Sequence, residues 1–288
     1  MKSTRNPLPA ALLARGVSRR EFAKFCSMMF ATLALPSRYF AAVEKALSQT
    51  TRPILVWLEF QDCAGNSESM LRSGNPTVTE FVLDLLSWEY HELIMAGAGK
   101  QAEDALGRVV SEHAGEYIAV VEGAIPTADG VYCTIGGKTA LEIAKHVCSK
   151  AAANIAVGAC AWDGGLVRSN PNPTGAFGLQ EAVPGLKNLI NLGGCPHNPA
   201  NTAAVLVHYL TFHELPALED YRRPLFAHGD IIHDQCERRA HYDAGRFVEE
   251  WGMKAIERAI AFTRWDAKVQ KQPLIVPRSA GMMEQVGR

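Results

Sequence analysis

Short apolar runs alternate along this chain with segments of helical period. Ile54–Phe60, Tyr117–Gly123, residues 154–159 and residues 189–192 are nearly continuous apolar stretches. Such runs read as strands buried on both faces. A further short strand is expected at about Glu92–Ala96. Between the strands, Pro76–Leu86, Lys138–Ala152 and Asn201–Phe212 carry apolar residues at helical spacing, and Lys100–His113 reads as a polar, partly helical surface segment. Strands alternating with helices predict a parallel sheet covered on both sides. The fold class is therefore α/β, a flavodoxin-like doubly wound domain over residues 51–215. From about Leu215 the texture turns polar and loop-like, and residues 216–288 are assigned to a short, incomplete second unit. Helix is expected over Asp243–Trp265 and a frayed end beyond it.

The amino-terminal 50 residues have a different balance. They hold eight Lys and Arg against two Asp and Glu, while the remainder holds 21 against 28. A mildly acidic body lacks the basic face that nucleic acid requires. The basic start has the form Ser18-Arg-Arg-Glu-Phe-Ala-Lys24, followed by the apolar run Phe25–Leu35 and Pro36. It resembles a twin-arginine export signal. Residues 1–50 are accordingly expected to direct the chain to the periplasm, with Cys26 carrying no chemistry in the mature protein. Hydrophobic residues make up 48% of the 288, and no run is long enough to mark a lasting membrane span.

Seven cysteines, an odd number, argue against a purely paired disulfide framework. Three of them occupy equivalent places. Cys63, Cys160 and Cys195 each follow an apolar run within a few residues, and each has glycine nearby. Ligands of open α/β sheets bind outside the carboxyl ends of the strands. A single cysteine there is ordinarily a small buried apolar residue. Three converging thiolates instead suit an iron–sulfur cluster, whose sulfurs also want close backbone N–H donors of the kind glycine turns supply. Three is one short of the usual four ligands. Cys133 follows a strand at a greater distance and Cys148 lies within a helix, and both read as packing residues. Glu68, close after Cys63, is either a proton-relaying carboxylate or an exposed helix-start acid. His233 and Cys236, three apart, could face one metal from a single turn.

Several segments in order resemble the small subunits of nickel–iron hydrogenases. They are Trp57-Leu-Glu-Phe-Gln-Asp-Cys-Ala-Gly-Asn-Ser-Glu-Ser69, Val121-Glu-Gly-Ala-Ile-Pro126, Gly158-Ala-Cys-Ala161 with Asn170-Pro-Asn-Pro-Thr-Gly175, Gly194-Cys-Pro196, and His233-Asp-Gln-Cys-Glu-Arg-Arg-Ala-His-Tyr-Asp-Ala-Gly245. The resemblance implies an electron-transfer subunit that holds a proximal [4Fe–4S] cluster beside a large subunit bearing the nickel–iron site. A membrane cytochrome b or another acceptor would take the electrons. It assigns Cys63, Cys160 and Cys195 to the proximal cluster and leaves Asn66 where the family has its fourth thiolate. The carboxylate of Asp62 is the candidate substitute, with Asn66, a water or another cysteine as alternatives. His233 and Cys236 match half of a distal [4Fe–4S] site; no cysteine follows Cys236, so ligands for the rest of it and for a medial [3Fe–4S] cluster are missing. The resemblance stops near Gly252. That boundary is read as a truncated or frame-shifted product before a lineage that lost its outer relay. The alternatives are a remnant that only binds the large subunit and the related quinone-oxidoreductase subunit with a terminal cluster.

Overall fold

A computed structural model describes residues 19–33, 35–47, 52–74, 77–78, 85–129, 131–230, 236 and 238–246. Two helices come first, α1 (Arg19–Leu33) and α2 (Phe40–Leu47). The α/β body follows as β1 (Ile54–Glu59), α3 (Gly65–Leu71), β2 (Ser87–His91), α4 (Lys100–Glu112), β3 (Ile118–Glu122), α5 (Ala140–Cys148), β4 (Ala153–Val157), α6 (Gly158–Asp163), β5 (Leu189–Leu192) and α7 (Pro199–Phe212). Two-residue strands at Ile125–Pro126, Thr134–Ile135, Lys138–Thr139 and Ala176–Phe177 form small ribbons at the side.

The five main strands are parallel in the order 2-1-3-4-5. That is the flavodoxin-like winding, with its switch point between β1 and β3. Successive strand residues point to opposite faces, and both faces are apolar. Leu55, Trp57, Ile118, Val120 and Ile155 join a core with Ala203–Val207 of α7. Val56, Leu58, Ala119, Val121 and Ala156 join a second core with Val109 and Val110 of α4 and Ile143 and Val147 of α5. The parallel sheet buried on both sides thus matches the apolar runs.

Element boundaries differ from the sequence reading in instructive ways. The short strand runs over Ser87–His91, and residues 92–94 are a turn, not a strand. Leu93 and Ile94 made that turn look apolar, yet both are exposed, while Trp88 and Tyr90 supply the strand residues. β4 ends at Val157, so Cys160 sits on helix α6 instead of a strand-end loop. The helix expected from Lys138 starts at Ala140, because Thr139 and Glu142 close a capping box that satisfies otherwise unpaired N–H groups. Most of each helix expected over Pro76–Leu86 and over Asp243–Trp265 lies outside the described residues. Among the described residues no helix is long and apolar enough to cross a membrane.

Candidate cluster site

The segments that follow β1, β4 and β5 each carry one cysteine, Cys63, Cys160 and Cys195 respectively. Cys63 and Cys195 are exposed and Cys160 is half-buried. Burial pushes the Cys160 thiol up, and the neighbouring thiols of Cys195 and Cys63 push it further, so both lie within electrostatic reach of Cys160. The Leu166 N–H acts in the opposite sense as a donor to the Cys160 sulfur. Close approach depends on glycine at two points. A Cβ on Gly65 would stand 3.2 Å from Cys63 Sγ, and one on Gly165 (φ +52°) would stand 2.8 Å from Cys160 Sγ. The Ala159 N–H donates to the Gly194 carbonyl at 2.7 Å, tying the start of α6 to the Cys195 turn.

Asn66 stands at the place of the missing thiolate, but its amide is turned into the protein. Its backbone N–H and Nδ2 donate to Glu122 Oε1 at 2.9 and 3.1 Å. Its Oδ1 accepts the His197 N–H at 2.8 Å and meets His197 Nδ1 at 3.1 Å. The glycine at 158 leaves room for it, since a Cβ there would fall 2.4 Å from Asn66 Nδ2. Both ends of the amide are therefore engaged. Burial drives the His197 pKa down to about 3, which keeps the ring neutral and able to donate from Nδ1.

Next to Cys63 in the chain, Asp62 joins a carboxylate cluster that the sequence reading missed. Glu59 and Glu122 end two neighbouring strands in register. With Asp62 they bring carboxylate oxygens within 4.8 Å of one another. Glu122 is fully buried and accepts five hydrogen bonds: the two from Asn66, the Ser67 N–H at 2.9 Å, Ser67 Oγ at 2.7 Å and Trp57 Nε1 at 3.2 Å. This full set leaves little room for a cation. Ser67 Oγ also stands 2.7 Å from Glu59 Oε1. One hydroxyl carries one proton, so the contact not made by that proton requires one from Glu59. Burial, opposed by the Ser67 hydrogen bond and reinforced by Asp62, Glu122 and Glu92, raises the Glu59 pKa from 4.5 to about 7, in keeping with that proton. The signal available in the sequence was an acid closing each of two otherwise apolar strands.

A raised carboxyl pKa favours the folded state while the group stays protonated. The Glu59 contribution is fully present below about pH 4.5 and is lost as pH rises to about 7. Relative to Glu59→Gln, the wild-type chain should lose stability across that window. Urea midpoints of both proteins at pH 5 and pH 8 check this, and a difference that does not change with pH would contradict it.

Asp62 faces the same acids. Burial first, and then Glu122, raise its pKa to about 6, against the pull of the Ala64 N–H on Oδ1. Its Oδ2 is buried with no hydrogen-bond partner among the described residues. The remaining candidates are dispersed. Glu68 is exposed in the first turn of α3 and pairs with Arg72, the surface reading of that acid. Cys148 is buried in the α5 core with its thiol pushed up to about 12, and Cys133 packs half-buried against the same core. Cys236 is half-buried three residues before the start of the helix Arg239–Asp243, and His233 lies outside the described residues.

Residues 63–209 match the family model described as NADH ubiquinone oxidoreductase, 20 Kd subunit. More of the chain aligns with hydrogenases. It is 42% identical over 240 residues to the Hydrogenase-2 small chain of Escherichia coli K12, covering 83% of this chain and 64% of that one. It is 45% identical over 239 residues to the periplasmic [NiFe] hydrogenase small subunit 1 of Nitratidesulfovibrio vulgaris Hildenborough, covering 82% and 75%. The chain belongs to the nickel–iron hydrogenase small-subunit family. The crystal structure of the Ni-Fe-Se hydrogenase from Desulfomicrobium baculatum superposes with a TM-score of 0.67 at 32% identity, over 70% of this chain and 80% of that one. The α/β architecture is thus that of hydrogenase small subunits. The chain spans about two thirds, 64%, of the length of the Escherichia coli relative. Between the two redox families considered from the sequence, the alignments with hydrogenase small subunits decide, because they reach well beyond the segment that the quinone-oxidoreductase model covers.

Proposed function

We propose that this chain is the electron-transfer small subunit of an exported nickel–iron hydrogenase, serving H2 → 2 H+ + 2 e−. The observation that carries the reading is the convergence of Cys63, Cys160 and Cys195 at the ends of β1, β4 and β5, in a member of this family. The residues fit a proximal [4Fe–4S] cluster: a Cys160 thiol within reach of both Cys63 and Cys195, an N–H on the Cys160 sulfur and bare glycines beside two of the sulfurs. Asp62, whose Oδ2 is buried and unpartnered among the described residues, supplies the fourth donor. Asn66 is disfavoured because ligation through Oδ1 would break its bonds to His197. When bound, such a cluster supplies one-electron transfer. The chain's own residues hold it, set an oxygen donor beside three sulfurs, and place two buried acids next to that donor.

The large subunit, with the nickel–iron site, is the partner. Exposed thiols at Cys63 and Cys195, and Leu166 at 85% exposure beside the Cys160 loop, leave this end of the sheet in need of cover. Residues 1–50 would direct export to the periplasm, where a membrane cytochrome b or another acceptor takes the electrons. His233 and Cys236 provide only half of a distal site, and these 288 residues hold no further cysteine for it or for a medial cluster. A second reading is a remnant that binds the large subunit without turnover. Co-purification with the large subunit followed by hydrogen-dependent dye reduction separates the two. The expected result is a stable pair with slow turnover that rises when other relay centres are supplied; a pair that stays without turnover even then is the outcome of the second reading. Failure to form a pair, or full turnover with iron for one cluster only, would overturn the proposal.

A further inference from the structure

The helix α7 is apolar on every side. Ala203, Ala204, Val205, Leu206 and Val207 are all buried in succession, which on a helix covers the full circle. One side lies on the sheet. The other is covered by the amino-terminal hairpin: Cys26, Met29 and Leu33 of α1 and Val43 of α2 belong to the same buried core. Pro36 and the 3-10 turn Ser37–Tyr39 bring α2 back onto α1, so that Phe30 stacks on Phe40 at 5.8 Å. Tyr39 closes the seat edge-on against Phe212 at 5.2 Å. The arginine motif is placed otherwise, with Arg20 exposed in the first turn of α1.

We infer that the outer face of α7 is a docking surface for the chain's own export segment, which holds the apolar core of the signal on the folded body while leaving Arg20 exposed. This rests on the signal reading of residues 1–50. In the precursor the apolar stretch is then sheltered from water and from export components until it leaves the seat. α7 begins four residues after Cys195, so the seat and the cluster site share one segment.

Thiol labelling of the full chain tests the docking. Cys26 is the only cysteine of the tryptic peptide Phe25–Arg38, so its modification by a maleimide is read separately from the others. In native wild-type protein, Cys26 should react at least about tenfold more slowly than in denaturant, as a group reached only by local opening. Cys148, buried in the opposite core, reports whether the body stays folded. Cys26 reacting at the denatured rate while Cys148 stays protected would overturn the docking, and this comparison needs no variant. Phe212→Ala, which loosens the seat without touching the signal, should speed Cys26 labelling and the initial rate of export. Faster labelling with unchanged export would overturn the holding role. The signal reading fails separately, if the double change Arg19→Lys and Arg20→Lys leaves export intact.

Discussion

Replacing Glu122 by leucine should destabilise the folded chain by about 4 kcal/mol or more, the largest effect expected from any single change outside the cysteines. The carboxylate gathers five donors in a fully buried place. Leucine restores none of those hydrogen bonds, and each buried donor left unpaired costs about 1–3 kcal/mol, less when neighbours relax together. Domains of this size are stable by only about 5–15 kcal/mol, so the variant should sit close to unfolding. Glu122→Gln should fall between, since it keeps one acceptor oxygen but turns an NH2 group toward donors. Urea midpoints at constant m-value check the series. A loss under about 1 kcal/mol for Glu122→Leu would show that the network contributes little.

Asp62→Ala should change the cluster and spare the fold. The folded chain loses only the Ala64 hydrogen bond, at 3.1 Å, because Oδ2 has no partner among the described residues. That bond is worth about 1 kcal/mol. A harder oxygen donor beside three thiolates sets the electronics of one iron, and removing it leaves that iron without a protein ligand. The expected outcome is an altered electron paramagnetic resonance signal and an iron content falling from about four to about three per chain. An unchanged signal would end the assignment of Asp62 and return the fourth position to water or another group. The two substitutions therefore separate what holds the fold from what holds the cluster, although their carboxylates are neighbours.

The strands and the three cysteines could be read from the sequence because both depend on local pattern. Continuous apolar runs mark strands buried on both faces, and a cysteine just beyond such a run falls at the mouth of the sheet. Asn66 was visible as a replaced thiolate, but not its engagement with Glu122 and His197, which are 56 and 131 residues away. Glu59 and Glu122 escaped notice because an acid in a strand is read singly; only the parallel register of β1 and β3 sets them side by side. β2 lies five residues before its expected place because Leu93 and Ile94, though exposed, imitate strand residues. The seating of α1 and α2 on α7 could not be read at all. The apolar run Phe25–Leu35 suits a signal and a packed helix equally, and only tertiary contact tells where it lies.

Counting iron and acid-labile sulfide in the anaerobically purified full chain, with Cys160→Ser as its control, tests the central claim most directly. One cluster held by Cys63, Cys160, Cys195 and Asp62 predicts about four irons and about four sulfides per wild-type chain, and loss of the intact cluster in the variant. A folded wild-type chain with less than about one iron, or iron unaffected by Cys160→Ser, would contradict it.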